Sequence, residues 1–148
     1  PVKKRMSGGT IALIVVAVGG VLLVPVAILA AIAIPAYQDY VGKAQFAEAT
    51  MVAGPYKELV AAHHANAGTC PNDADINASG MQGKYVGRVE FPGGPAPCAI
   101  TIVFADGEPT VAPLRGGRVS FLGTPTPDGM AWQCQSGLPD KYKPMACR

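Results

Sequence analysis

Leu29-Ala-Ala-Ile-Ala-Ile-Pro-Ala-Tyr-Gln-Asp-Tyr40 is the stretch that decides the fold. It holds the last turns of a long apolar segment, one proline, and then an abrupt change to polar helix. A helix that is greasy at one end and water-soluble at the other needs two environments. Two pairs fit: a membrane and the space outside it, or a filament core and a filament surface.

Upstream, residues 11–34 form a run of 24 positions without a charge, a hydroxyl or an amide side chain. As a helix at ~1.5 Å per residue the run reaches about 36 Å, enough for a hydrocarbon core of ~30 Å. A water-soluble domain cannot present such a helix. It must lie in lipid or be surrounded by copies of itself. Lys3, Lys4 and Arg5 precede the run, and no cation follows until Lys43. The positive-inside rule then places the N-terminus in the cytoplasm and everything after about Tyr37 outside. An ordinary cleaved secretory signal has an apolar core of only ~7–15 residues and ends at a small-residue site, which this run does not match.

The formal charge of +2 is not spread over the chain. Residues 36–148 carry nine Lys/Arg and ten Asp/Glu, a net of −1, so the basic character belongs to the first five residues. Net charge therefore gives no case for a nucleic-acid-binding face. The four cysteines, Cys70, Cys98, Cys134 and Cys147, all fall on the expected outside. An even count in an exported domain points to two disulfides, with three connectivities open.

Downstream, polar helix is predicted to continue from Tyr37 to about Ala67. Val41, Ala44, Ala47, Met51, Tyr56, Leu59 and Val60 recur at helical spacings and form the expected packing stripe. Pro25 and Pro35 each remove a backbone donor and are the expected kinks. Gly54-Pro55 is a further candidate kink or break. Residues 69–82 read as loop. Strand signals follow at 84–91, 98–104, 118–122 and 130–134, with Pro109 to Val111 as the start of a return strand after the Asp106-Gly107 turn. One long helix followed by about four antiparallel strands is an α+β domain. A Cys134–Cys147 bridge would tie down the aperiodic C-terminal segment, contributing ~3 kcal/mol in the chain-entropy model. A Cys70–Cys98 bridge would fasten the helix end to the second strand.

Three pieces resemble type IV pilins of the type IVa class. The first is Leu29-Ala-Ala-Ile-Ala-Ile-Pro-Ala-Tyr-Gln-Asp-Tyr-Val-Gly-Lys-Ala-Gln45. The second is Gly83-Lys-Tyr-Val-Gly-Arg-Val89. The third is Trp132-Gln-Cys134 with Lys141-Tyr-Lys-Pro-Met-Ala-Cys-Arg148, which looks like the family's C-terminal disulfide loop. The resemblance implies the pilin fold, a long N-terminal helix packed on a four-stranded antiparallel sheet, with a C-terminal disulfide loop closed by Cys134–Cys147, and Cys70–Cys98 is the expected second pair. It implies a basic segment at 1–10 that is a candidate leader cleaved between Gly9 and Thr10. A transmembrane or filament-core half of the helix follows at 11–36, then an exported head at 37–148. It implies a homo-oligomeric helical filament built through residues 11–40, an inner-membrane stage before assembly, and a pilus assembly machinery as partner. Adhesion, twitching motility and DNA uptake are the roles such filaments take. The family's usual glutamate, four positions beyond an aromatic residue or Met after the leader, is absent. Counting back from Pro35 lands on Val18, and no acidic residue precedes Asp39. A membrane-anchored, non-polymerising accessory protein is the alternative.

Other signals are weaker. His63 and His64 are adjacent on a helix and so point in different directions. Asp73 and Asp75 read as a solvated loop, and Trp132 beside a disulfide reads as core. Arg115, Arg118, Lys141, Lys143 and Arg148 form a candidate cationic patch for DNA, and a host surface is a further candidate partner. No nucleophile elbow, P-loop, HExxH or EF-hand loop is present, so neither an enzyme nor a cofactor is expected.

Overall fold

The computed structural model describes residues 7–78 and 83–148. Lys3, Lys4 and Arg5 of the basic segment lie outside the described residues, as do positions 79–82 of the expected loop. The chain divides into two compact units, Pro1–Tyr37 and Gln38–Arg148. Helix α1, Gly8–Ala67, contributes to both. It runs as one helix past Pro25, Pro35 and Gly54-Pro55, so the break considered at Gly54-Pro55 does not occur. The helix stops at Gly68, whose φ of 72° is a left-handed conformation that glycine adopts without a Cβ penalty, with its N–H donating to His64 O at 2.8 Å.

In the second unit, α1 lies on an antiparallel sheet. The strands are β1 (Cys70–Asn72), β2 (Val86–Glu90), β3 (Pro92–Gly94), β4 (Cys98–Phe104), β5 (Arg118–Thr126) and β6 (Gly129–Ser136). Four of them form one sheet in the order β2-β4-β5-β6, and β1 pairs with β3 in a small second sheet. The small sheet lies partly in the stretch read from sequence as loop. Cys-Pro-Asn carries turn chemistry, and only its pairing with Pro92–Gly94 makes it a strand. Strands β5 and β6 meet at a two-residue turn, with Thr126 opposite Gly129.

Core positions alternate as a half-buried sheet requires: Cys98, Ile100, Ile102 and Phe104 on β4, and Val119 and Phe121 on β5, face the helix side and are buried. Phe46 on α1 meets Phe104 at 6.2 Å between ring centroids, and Tyr56 meets Phe91 edge-on at 5.3 Å. Trp132 is half-buried and packs against this core. It sits opposite Gly123, where a Cβ would lie 2.8 Å from the indole.

Two expectations are corrected here. Pro109 to Val111 does not start a strand: the segment leads into a short 3₁₀ helix, Ala112–Leu114, and β5 begins only at Arg118. The helical packing stripe keeps the expected Tyr56 and Val60 but differs elsewhere. The buried positions are Gly42, Gln45, Phe46, Ala49, Ala53, Tyr56 and Val60, whereas Met51 is 77% exposed and Ala44 and Ala47 face solvent. The buried set mixes small residues that let the backbone approach with Phe46, Tyr56 and Val60, and includes one amide that the connection between β4 and β5 satisfies.

Candidate assembly site

The first unit holds the apolar half of α1. The helix has a mean hydropathy of 3.0 over its most apolar window, long and apolar enough to cross a membrane. The large side chains in residues 11–34 are all exposed, from Ile14 at 47% to Val16 at 73%. They point in every direction around the helix, so no single face can bury them. Small residues Ala27, Ala30, Ala31 and Ala33 lie among them, and Gly19 and Gly20 have nothing within 4 Å of the Cβ position. Pro25 and Pro35 lie within this half. Gly9 and Thr10 sit in the first described turn of the helix, where the Thr10 and Ile11 amides donate to Ser7 O.

In the second unit, the C-terminal segment closes onto α1. Cys134 on β6 is bonded to Cys147, with a Cα–Cα distance of 4.6 Å, and Cys70 on β1 is bonded to Cys98 on β4 at 5.2 Å. The closed segment presents Lys141 and Tyr142 to the helix. Lys141 Nζ donates to Asp39 Oδ1 at 2.6 Å, and the Tyr142 hydroxyl lies 3.5 Å from the same oxygen. The Tyr142 ring rests on Gly42, where a Cβ would come within 2.5 Å of Cε1. Lys143 Nζ donates to Ser136 O at 3.0 Å and pairs with Asp140. The Lys141 ammonium beside Asp39 holds its carboxyl below the usual range, and Asp39 raises Lys141 in turn. Lys143 lowers Asp140 in the same way, through its hydrogen bond.

On α1, Gln45 is 1% exposed and uses both ends of its amide. Its Nε2 donates to Pro109 O at 3.0 Å, and its Oε1 accepts from Val111 N at 2.9 Å. The connection between β4 and β5 is thereby pinned to the helix. Glu48 Oε1 likewise accepts from Tyr85 N at 2.7 Å at the entry to β2. Lys57 lies over the Phe121 ring, 4.3 Å from its centroid, and burial pushes its ammonium pKa down.

Of the candidate cationic patch, Lys141, Lys143 and Arg148 line one groove, Arg115 and Arg118 line two others, and most of the five are already partnered. Arg118 pairs with Glu90, Arg115 donates to Thr110 O beside Glu108, and Lys141 and Lys143 pair with Asp39 and Asp140. Glu90 is lowered chiefly by its hydrogen bond from Arg88, with Arg118 adding to it. Among the described residues no group of three or more His, Cys, Asp or Glu is placed to hold a metal ion, and His63 and His64 stand half-buried on α1. Sequence reading missed Asp39, Gly42 and Gln45 as docking residues. The available signal was Gly42-Lys-Ala-Gln-Phe-Ala-Glu-Ala49, small and amide-bearing residues at helical spacing.

A helix apolar on every side, joined to a disulfide-stapled α+β head, defines a class of chain that is anchored in lipid or packed against its own copies. The family model for pilin, a bacterial filament protein, matches residues 42–148. The chain belongs to the type IV pilin family. It is 35% identical over 126 residues to the fimbrial protein EcpC of Eikenella corrodens, covering 83% of this chain and 81% of that one. It is 31% identical over 113 residues to the type IV major pilin PilE of Neisseria gonorrhoeae, covering 74% of this chain and 65% of that longer one. A fimbrial protein of Neisseria meningitidis serogroup B is 32% identical over 123 residues, covering 80% and 69%.

Proposed function

We propose that this protein is the structural subunit of a type IV pilus-like extracellular filament, polymerising through residues 11–40. The observation that carries the reading is the all-round exposure of the large apolar side chains of residues 11–34. In the inner membrane these side chains face lipid, and Lys3, Lys4 and Arg5 hold the N-terminus in the cytoplasm with residues 37–148 outside. On assembly they exchange lipid neighbours for the same segment of other copies. Hydrophobicity changes little in that exchange, so packing has to decide it, and small residues that allow close approach favour it. Pro25 and Pro35 act as bends that fix the shape of the packed helix.

No carboxylate precedes Asp39 to set the register between helices. Register therefore rests on the shape of the segment, set by Gly19-Gly20, Pro25 and the alanines. Processing between Gly9 and Thr10 removes the basic segment before assembly by the pilus machinery. Adhesion, motility and DNA uptake are the roles open to such a filament.

The test is to shear surface filaments from the source cells, identify their subunit by mass spectrometry and read its N-terminal mass. The expected result is this chain as a filament component beginning at Thr10. Its absence from every filament fraction would refute the reading.

A further inference from the structure

Beside the C-terminal segment, the second unit carries a groove of about 470 Å³ lined by Lys43, Ala47, Met51, Tyr142, Pro144 and Arg148, among others. Its lining is mostly apolar, and Met51 is 77% exposed on it. Two neighbouring cations, Lys141 and Lys143, are already paired with Asp39 and Asp140. Lys43 has no ion-pair partner among the described residues, and Arg148 only donates its Nε to Lys143 O at 3.4 Å. Lys43 adds to the positive field at Asp39 and Arg148 to that at Asp140, but neither lies within ion-pair distance of a carboxylate among the described residues, so the groove combines an apolar surface with two cations that can each take a further carboxylate.

Its complement lies on the same chain. The turn between β5 and β6 is Pro127-Asp128, flanked by Pro125, and residues 124–129 are all exposed. Asp39, Glu90 and Asp140 are paired with cations, and Asp73 and Asp75 accept backbone amides. Asp128 has no partner among the described residues and stands on an exposed turn, directly after Pro127 and before Gly129. A tip stiffened by proline loses little conformational freedom on docking, and a flexible methionine adapts to it.

We propose that the Pro127-Asp128 tip of one copy docks in the Lys43–Met51–Pro144 groove of a second copy, with the Asp128 carboxylate paired to the Lys43 ammonium. Tip and groove are different surfaces. The contact is therefore heterologous, the kind that builds a ring where its rotation closes and an open helical array where it does not, and the filament reading requires the open array. The inference rests on the filament reading and assigns the contact between its heads.

The experiment uses full-length protein expressed in the source cells, with sheared-filament yield as the readout. Asp128→Lys and Lys43→Glu are each expected to lower the yield about tenfold, because each sets like charges together. The double exchange is expected to restore it to within about twofold. Filaments assembled from mixed ¹⁴N and ¹⁵N wild-type subunits and treated with a zero-length carbodiimide should yield a mixed-isotope Asp128–Lys43 cross-link. This second measurement needs no variant. Single variants with wild-type yield, or cross-linked filaments lacking that pair, overturn the docking and leave the filament reading standing. Absence of wild-type filaments overturns both.

Discussion

Gly42→Ala sets two opposed effects against each other at one position. On an open helix surface the change stabilises by about 0.8–1.0 kcal/mol, because alanine has the higher helix propensity. At position 42 the added methyl would lie 2.5 Å from Tyr142 Cε1 and 2.6 Å from Cδ1. Carbon atoms in contact settle at ~3.5–4.0 Å, so the ring must retreat by about 1 Å. Retreat is hindered. Tyr142 is 4% exposed, and its neighbours are held by Lys141–Asp39 at 2.6 Å and Lys143–Ser136 O at 3.0 Å. Overpacking of this kind costs about 1–3 kcal/mol. The net expectation is a loss of up to about 2 kcal/mol, a fall in Tm of several degrees for a chain of this size. The assay is thermal unfolding of the full chain in detergent, followed by near-ultraviolet circular dichroism. Tyr142→Ala supplies the matched background: with the ring gone, Gly42→Ala should raise Tm, so the sign of its effect inverts between the two backgrounds. An equal rise in both backgrounds would refute the claim that Tyr142 occupies the space over Gly42.

Gln45→Leu removes the side-chain partner of Pro109 O and Val111 N; Pro109 is exposed and Val111 half-buried, so the loss in urea unfolding should be about 1 kcal/mol, the low end of the ~1–3 kcal/mol for a fully buried orphan, and no measurable loss would show that water takes the amide's place. Replacing Cys134 and Cys147 together by Ser should cost ~3 kcal/mol and speed hydrogen exchange at the amides of residues 138–148; unchanged exchange there would mean that Lys141 and Tyr142 hold the segment unaided. The Asp39 pKa is depressed, so its contribution is present above the unfolded value near ~3.9 and is lost as pH falls through the lower folded value. Lys141 is raised, so its contribution is present below ~10.4 and lost as pH rises through its folded value. The Tm difference between wild type and Asp39→Asn should accordingly be widest between these limits and shrink towards both; a difference independent of pH would assign the effect to something other than this pair.

How much of the molecule could be read from sequence depends on which half of α1 is considered. In residues 11–34 the only decision is whether polar groups are present, and a run with none excludes water on every side. Composition alone settles that, so the class of protein was legible from the first stretch quoted. The strands at 98–104 and 118–122 were legible for a related reason: β-branched and aromatic residues alternate there between buried and open faces. The β1–β3 pair was not legible, because Cys-Pro-Asn and Pro-Gly-Gly carry turn chemistry and become strands only through each other.

From Gln38 to Ala67 the same helix follows a different rule: counting apolar residues found Tyr56 and Val60, both buried, but also put the exposed Ala44, Ala47, Met51 and Leu59 in the stripe. Met51 and Leu59 are hydrophobic yet lie 77% and 44% exposed, while Gln45 and Gly42 are buried. A helix lying against a sheet and a docked C-terminal segment is limited by distance of approach as well as by hydrophobicity. Gly42 makes room for the Tyr142 ring, Ala49 and Ala53 keep the backbone near the sheet, and Gln45 answers two backbone groups that would otherwise be orphaned. None of these needs is visible until the partner segments, 64 and 66 residues away for Gln45 and farther still for Gly42, are in place. The same reasoning explains why the larger apolar side chains were free to turn outward. Once small residues serve the intramolecular contact, Met51 and Ala47 remain on the surface beside Lys43, uncovered by the described residues and open to another molecule.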